Sequence, residues 1–152
     1  MQLSDILTCD HIVTDSTATS KKRALEQLSS LMASGDSNLD PLTIFDSLVA
    51  RERLGGTGLG HGVALPHGRI SGNRKTVAAF LRLNHGIDFD AVDQQPVDLL
   101  FGLLVPEEST QEHLDLLAEL AERLSQAEFR RSLREAIPTD QLCALLTGSQ
   151  SG

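Results

Sequence analysis

Two segments in the first third of the chain repeat their apolar residues every three or four positions, which is the spacing of an amphipathic helix. The first predicts a helix over residues 20–33, with Ser20 as the capping residue. The second predicts a helix over residues 41–54, where Asp40 caps the helix and Pro41 suits its first turn. Each helix is therefore expected to bury one face and expose the other.

The middle of the chain shows a different pattern, in which apolar residues follow one another without a polar face. Residues 76–83 and 97–105 are apolar at nearly every position, and residues 62–65 form a shorter run of the same kind. Runs of this length, bounded by turn residues, are typical of strands buried on both faces. Residues 11–13 are a candidate for an additional edge strand.

Helical patterns return after the last apolar run. Ser109 and Glu112 have the spacing of a capping box at the start of a helix, and shorter helices are predicted over residues 128–136 and 140–146. Strands buried on both faces must be covered by helices on both sides of the sheet. We therefore predict an α/β fold, namely a three-layer α/β/α sandwich with a mixed sheet. Residues 1–147 are expected to form one domain, followed by a flexible tail at 148–152.

Charge and composition narrow the classes of function. The chain has 152 residues and a formal charge of −8, and such an acidic surface repels nucleic acids and anionic membranes. It lacks Trp and Tyr, so stacking platforms for bases are scarce. The most apolar stretch is about half the ~20 residues that a membrane helix needs. We therefore expect a cytoplasmic protein that neither binds nucleic acid nor inserts into a membrane.

The two cysteines lie at opposite ends of the chain. Cys9 and Cys143 match neither a disulfide framework nor a CxxC metal site. We expect two free thiols, which suit a reducing cytosol and pack as small hydrophobic side chains.

Six of the 12 glycines lie between Gly55 and Gly68. Such a loop allows backbone N–H groups to approach an oxyanion closely. It has neither the G-x-G-x-x-G spacing nor the following Lys of a nucleotide-binding loop. The candidate phosphate-supporting residues of this loop are Thr57, Gly58, Gly60 and Gly62, and the alternative is a mobile loop without a ligand.

His67 follows this loop and is the candidate nucleophile. Pro66 fixes its own φ and favours an extended conformation for the residue before it, so His67 is presented at the end of a strand. An imidazole on such a platform, beside backbone amides and two arginines, is suited to accept a phosphoryl group. The alternative is an ordinary surface or core histidine.

His113 and Arg51 are the candidate partners of His67. His113 falls in the first turn of the helix after the last apolar run, so both histidines open on one sheet edge if the two strands are parallel. Arg51 lies in the last turn of the second helix and can project into the same cleft. Arg53 points roughly 200° away from Arg51 around the axis of that helix.

A zinc site built from His61, His67 and His113 is an alternative, with the chemistry of a metal hydrolase. No His-x-x-x-His spacing and no Cys ligand pair supports it. We therefore expect no metal and no cofactor.

Residues 57–68, TGLGHGVALPHG, with the preceding Arg51-Glu52, closely resemble the active-site signature of IIA domains of the bacterial phosphoenolpyruvate:sugar phosphotransferase system, mannitol/fructose class. Further segments resemble the nitrogen-regulatory branch, EIIA-Ntr: SKKRAL at 20–25, QPVDLLF at 95–101, LVP at 104–106 and His113-Leu114. The resemblance covers about residues 2–147. Gly56 and His61 depart from the family pattern, which usually has Ser and Asn at these positions.

This resemblance implies a mixed sheet of about five strands and phosphorylation of His67 on Nε2 by an HPr-like phosphocarrier. It implies that His113 is the second active-site histidine, that Arg51 is the cleft arginine and that no metal takes part. It also implies regulatory target proteins, such as potassium-transport or sensor components, that respond to the phosphorylation state. The alternatives are a fructose-type sugar-transport IIA that relays phosphate to a IIB domain, and a binding module whose histidine is never phosphorylated.

Overall fold

A computed structural model describes residues 3–71, 75–108, 111–135 and 139–147. The predicted Ser109 cap and the predicted 148–152 tail lie outside the described residues. Along the described chain the elements are α1 (Leu3–Ile6), a 3-10 helix (Cys9–His11), β1 (Ile12–Ser16), α2 (Lys21–Ala33), α3 (Pro41–Leu54), β2 (Gly58–Gly60), β3 (Val63–Ala64), β4 (His67–Ile70), β5 (Val77–Ile87), β6 (Val97–Pro106), α4 (Gln111–Leu124), α5 (Ala127–Glu135) and α6 (Thr139–Thr147).

The helices α2 and α3 begin where their capping residues predict. The Ser20 hydroxyl accepts a hydrogen bond from the Arg23 N–H, and the Asp40 carboxylate accepts one from the Leu42 N–H. The helices α4, α5 and α6 overlap the predicted ones. The α1 helix was not predicted, because four residues are too few to show helical periodicity. No helix within the described residues is long and apolar enough to cross a membrane.

Six strands form one mixed sheet in the order β1-β5-β6-β3-β2, and β4 also pairs with β6. β5 and β6 are antiparallel, whereas β1 is parallel to β5, and β3 and β4 are parallel to β6. β3 and β4 lie in line along β6, interrupted only at Leu65 and Pro66. The α/β fold with a mixed sheet is confirmed. The sheet has six strands rather than about five because β2 adds a short edge and the Leu65-Pro66 step divides β3 from β4.

Both faces of the central strands are buried, as their unbroken apolar runs predicted. In β5, Ala78 and Phe80 share a core with α1, α4, α5 and α6, while Ala79 and Leu81 share a second core with α2 and α3. This alternation is the pleat of a strand, and it places one helical layer on each side of the sheet. Phe80 and Phe101 pack in a tilted arrangement on the first side, with their ring centroids 6.3 Å apart.

The two ends of the chain are joined by a disulfide, so the prediction of two free thiols was wrong. Cys9 in the 3-10 helix is bonded to Cys143 in α6, and their Cα atoms are 5.5 Å apart. Their sequence separation of 134 residues hides this pairing from any local pattern. It arises because α6 packs beside the 3-10 helix and β1.

Candidate functional site

A cleft of about 590 Å³ opens where β4 and the end of β6 meet the last turns of α3 and the first turns of α4. Its described lining includes two histidines and two arginines but no carboxylate. An arginine-lined concavity in a chain of charge −8 favours an anionic ligand over a cation. The lining residues are Ser47, Ala50, Arg51, Leu54, His67, Gly68, Arg69, Val105, His113, Leu114 and Leu117.

His67 is the first residue of β4, and its partners define which ring nitrogen carries the proton. The Pro66 carbonyl accepts a hydrogen bond from β6, which holds the segment before His67 against the sheet. The His67 Nδ1 lies 2.9 Å from the Leu65 carbonyl oxygen, and its Nε2 lies 3.2 Å from the Arg51 Nε. A carbonyl only accepts and a guanidinium only donates, so Nδ1 carries the hydrogen and Nε2 carries the lone pair.

The neutral form of this imidazole is favoured. Burial is the largest cause that lowers the pKa of His67 below its usual value of 6.5, and the guanidinium groups of Arg51 and Arg69 lower it further. The hydrogen bond to the Leu65 carbonyl and the Glu52 carboxylate act in the opposite direction without reversing the shift. The imidazole is therefore largely neutral at pH 7, and the Nε2 lone pair is available for nucleophilic attack.

Arg51 is held in place at the end of α3. Its Nη1 donates to the Gly55 carbonyl at 2.8 Å while its Nε donates to His67. Because that second bond ends on Nε2, the guanidinium is within reach of any group attached to this nitrogen. Arg53 is exposed and is not among the residues that line the cleft in the described part of the chain.

His113 enters the same cleft from the first turn of α4. Its side chain is buried, and its Nε2 lies 2.9 Å from the hydroxyl of Thr76, which is also buried. The strands that precede the two histidines are parallel, as the sequence-based argument required. Thr76 was not predicted to belong to the site, because a hydroxyl at the start of an apolar run carries no distinctive signal.

Ser47 was also missed, and it connects α3 to β4. Its hydroxyl donates to the Arg69 carbonyl at 2.7 Å and accepts from the Arg69 N–H at 2.8 Å. Gly68 allows this approach, since a Cβ there would lie 2.4 Å from the Ser47 Oγ. The glycine after His67 thus brings α3, with Arg51 at its end, against the strand that carries the histidine.

The structure does not turn Thr57 toward the cleft. Its backbone N–H donates to Glu52 at 3.2 Å, and its hydroxyl donates to the same carboxylate. Glu52 also pairs with Lys21 of α2 at 3.0 Å, and the Lys21 ammonium lies 4.6 Å from the centre of the Phe89 ring. Both donors of Thr57 therefore have internal partners. Glu52, which the sequence analysis placed in the signature without a role, joins the loop to α2 and α3.

The glycines of the loop serve its close packing. A Cβ on Gly58 would lie 2.8 Å from Ala91, and Gly60 and Gly62 have φ values of 97° and 81°. Gly62 also lies against the guanidinium of Arg134. In the described part of the chain, none of the four predicted phosphate-supporting residues is among those that line the cleft.

His61 lies away from the other two histidines. Its φ of 58° is in the left-handed region, which Asn tolerates better than most residues. Its N–H donates to the Asp93 carboxylate at 2.8 Å, and it lines a separate surface pocket. Among the described residues, no three His, Cys, Asp or Glu side chains are grouped to hold a metal ion. The zinc alternative thus has no ligand set in that part of the chain.

Comparisons with known proteins identify the relatives of this chain. Residues 5–149 match the family described as "Phosphoenolpyruvate-dependent sugar phosphotransferase system, EIIA 2". The chain is 45% identical over its full length, and over 99% of the relative, to a nitrogen regulatory protein of Pseudomonas aeruginosa.

The crystal structure of the nitrogen regulatory protein IIA-Ntr from Neisseria meningitidis is similar in fold, with a TM-score of 0.90 and 44% identity. The match covers 95% of this chain and 99% of that one. A fructose-specific EIIA component from Haloferax volcanii is 34% identical over 88% of this chain and 87% of its own length.

Proposed function

Because the chain belongs to the EIIA 2 family of the phosphoenolpyruvate-dependent sugar phosphotransferase system, we propose that His67 accepts a phosphoryl group from an HPr-like phosphohistidine carrier. The observation that carries this proposal is the state of the imidazole. Its Nδ1 hydrogen is held by the Leu65 carbonyl, its Nε2 lone pair lies at the cleft beside Arg51, and burial lowers its pKa, which favours the neutral form.

In the transfer, the Nε2 lone pair attacks the phosphorus while the N–P bond of the donor breaks, and the donor imidazole keeps that electron pair. The His67 ring then carries positive charge, which the Leu65 carbonyl stabilises through Nδ1–H. Arg51 moves its Nε–H from the ring nitrogen to a phosphoryl oxygen. This is a small movement, since the two atoms are already 3.2 Å apart.

His113 and Arg51 support the transfer without carrying the phosphate. Both line the cleft, and Thr76 fixes the orientation of the His113 ring through its Nε2. Donors in such positions stabilise the charge that develops on the equatorial oxygens in the transition state. Because Thr57, Gly58, Gly60 and Gly62 are not among the residues that line the described cleft, we assign the stabilisation to side chains rather than to the glycine loop.

A protein partner has apolar surface to bind beside the cleft. Leu54 at the end of α3 is 85% exposed and Leu114 in α4 is 52% exposed. Both line the same concavity as His67. An apolar rim around a polar centre suits a protein–protein contact, and it is where a phosphocarrier would present its own phosphohistidine.

The regulatory part of the proposal is supported by the two relatives named nitrogen regulatory proteins, at 45% and 44% identity. Phosphorylation adds about −1.5 to −2 charges at pH 7 beside the apolar rim. A cytoplasmic target protein, such as a potassium-transport or sensor component, would then bind the two forms differently, by about 1–3 kcal/mol. We expect the unphosphorylated form to bind more tightly, because burial of a dianion requires complete pairing.

The central test is phosphorylation with phosphoenolpyruvate, the first phosphotransferase enzyme and an HPr-like carrier. The intact mass is expected to rise by one phosphoryl group, through an acid-labile and base-stable linkage. His67→Ala should remain unmodified. His61→Ala is the matched control, because it removes a histidine that lines a different pocket, and it should be phosphorylated like the wild type. Phosphorylation of His67→Ala to the wild-type level would refute the assignment.

The second candidate is a sugar-transport IIA of the fructose type, favoured by the 34% identity to the fructose-specific component. It predicts rapid transfer from phosphorylated His67 to a fructose-type IIB domain. The regulatory proposal predicts that the phosphate stays on the chain in that mixture. It also predicts that a target captured from cell extract binds the two forms with different affinity. Rapid transfer to IIB, with identical affinity of every captured protein for both forms, would favour the sugar-transport function.

A further inference from the structure

The two cysteines of the Cys9–Cys143 disulfide lie in different environments. Cys9 is exposed in the 3-10 helix, whereas Cys143 is 6% exposed and belongs to the core beneath α6. Exposed disulfides are accessible to small thiols and are the ones most often reversible in proteins. The bond is therefore open to attack on the side of Cys9 and protected on the side of Cys143.

The position of Cys9 is maintained by contacts other than the disulfide. His11, in the same 3-10 helix, places Nδ1 3.1 Å from the Ala78 carbonyl oxygen of β5. Its Nε2 lies 3.1 Å from the carbonyl oxygen of Ser34 at the end of α2. A neutral imidazole carries one N–H, so it donates to one of these carbonyls and only contacts the other, and either bond attaches the 3-10 helix to a neighbouring element. Cys9 is thus expected to stay in place when the disulfide is reduced.

Cys143 is also held near its partner by other contacts. Leu142 and Leu146 of α6 are buried in the same core, and the Leu145 carbonyl accepts a hydrogen bond from Arg123 of α4 at 3.3 Å. The two thiols are therefore adjacent before they are bonded. At nine residues, α6 is nevertheless too short to be stable alone, so a covalent bond to the start of the chain adds substantially to its attachment.

From this geometry we propose that Cys9 and Cys143 are a reversible thiol–disulfide modification site whose oxidation fastens α6 to the 3-10 helix. The oxidant is a low-molecular-weight disulfide such as glutathione disulfide. The Cys9 thiolate attacks one of its sulfurs and releases one small thiolate. The Cys143 thiolate then attacks the Cys9 sulfur and releases the second. Two protein thiols are oxidised, one small disulfide is reduced, and the two cysteine protons end on the two small thiols.

This site is separate from the proposed phosphorylation site. Arg123, which contacts α6, lies ten residues after His113 along α4, or about 15 Å at 1.5 Å per residue. We expect oxidation to change the attachment of α6 and the stability of the chain, and to leave phosphoryl acceptance by His67 within about twofold. Failure of one proposal therefore does not decide the other.

The test is to equilibrate the full chain in a series of glutathione redox buffers, quench with acid, alkylate, and count thiols by intact mass. The expected result is one transition between zero and two alkylated cysteines in a monomer. The melting temperature of the oxidised form should exceed that of the reduced form by about 10 °C or more, because the closed loop spans 134 residues. A disulfide that resists every glutathione buffer would overturn the proposal, as would disulfide-linked dimers.

Two variants act as controls. Cys9→Ala removes the bond at an exposed position, so its melting temperature should match that of the reduced wild type and should not respond to the glutathione ratio. Cys143→Ala keeps a small apolar side chain in the core, and Cys9 should then retain one glutathione as a stable mixed disulfide. Equal melting temperatures of the oxidised and reduced wild type would contradict the fastening of α6 by the disulfide. If Cys143→Ala forms no glutathione adduct, the proposal that glutathione disulfide reacts first with Cys9 would be contradicted.

Discussion

The cleft around His67 and the glycine loop of residues 55–62 are adjacent in the sequence, yet their polar groups lie in different settings. In the loop these groups bond to one another or to nearby elements, as Thr57 does with Glu52 and His61 with Asp93. In the cleft, the Nε2 of His67 and the guanidinium of Arg51 lie at a concavity with no carboxylate in its described lining. In this chain the glycines serve close backbone packing, whereas the meeting of a lone pair and a guanidinium supports the proposed site at His67.

The largest effect that this comparison predicts is at Arg51. Arg51→Ala removes the guanidinium next to Nε2 and should lower the rate of phosphoryl acceptance by about 10²–10³, the usual cost of losing one such donor. Single-turnover transfer from a phosphorylated HPr-like carrier measures this rate. Arg53→Ala is the matched control, because its side chain is exposed two residues further along the same helix. A near-normal rate for Arg51→Ala would mean that the cleft geometry does not drive transfer.

A smaller effect, on stability rather than on rate, is expected in the loop. Gly62→Ala forces an alanine to φ 81° and places its Cβ 2.4 Å from the Arg134 Nη2, which pairs with Asp98 at 2.8 Å. Gly35→Ala is the control, since it has a similar φ of 84° and no atom within 4 Å of the added Cβ. Both should lose about 1–2 kcal/mol of unfolding free energy through the backbone. Gly62→Ala should lose about 1 kcal/mol more, as a partly exposed ion pair is displaced.

Chemical denaturation measures these losses, and phosphoryl acceptance measured on the folded variants sharpens the comparison. Both variants should accept phosphate at the wild-type rate, because the loop is not part of the described cleft lining. Loss of acceptance in Gly62→Ala but not in Gly35→Ala would place the loop in the site after all.

The smallest predicted effect is on pH dependence. Burial first, and then Arg51 and Arg69, lower the pKa of His67 below 6.5, so acceptance should fall with decreasing pH through a midpoint below 6.5. The unfolded chain binds this proton more readily than the folded chain. The contribution of His67 therefore leaves stability unaffected above the unfolded pKa of about 6.5, and stability decreases as pH falls through it toward the folded value.

Titration of the imidazole by NMR measures this shift. In Arg51→Ala the pKa of His67 should rise, because that variant removes a nearby positive charge and admits water to the ring. A wild-type pKa at or above 6.5, or a fall in Arg51→Ala, would show that burial and the arginines do not control this group.

Several elements were predictable because the signal lies within the element itself. The caps and apolar stripes of α2 and α3 depend on residues at most four positions apart, and the long apolar runs of β5 and β6 record burial on both faces. His67 was recognisable for the same reason, since the residues that present it are its immediate neighbours. Arg51 and His113 followed from their places at the ends of predicted helices.

What the sequence by itself determined was therefore local: the longer helices and the central strands. Tertiary structure alone decided that Thr76 orients His113, that Ser47 holds Arg69, and that Cys9 meets Cys143 across 134 residues. It also decided that the glycine loop packs against Glu52 and Arg134. The physical reason is that partners far apart in the sequence meet only when apolar burial brings the helical layers onto the sheet, and a local pattern holds no record of that encounter.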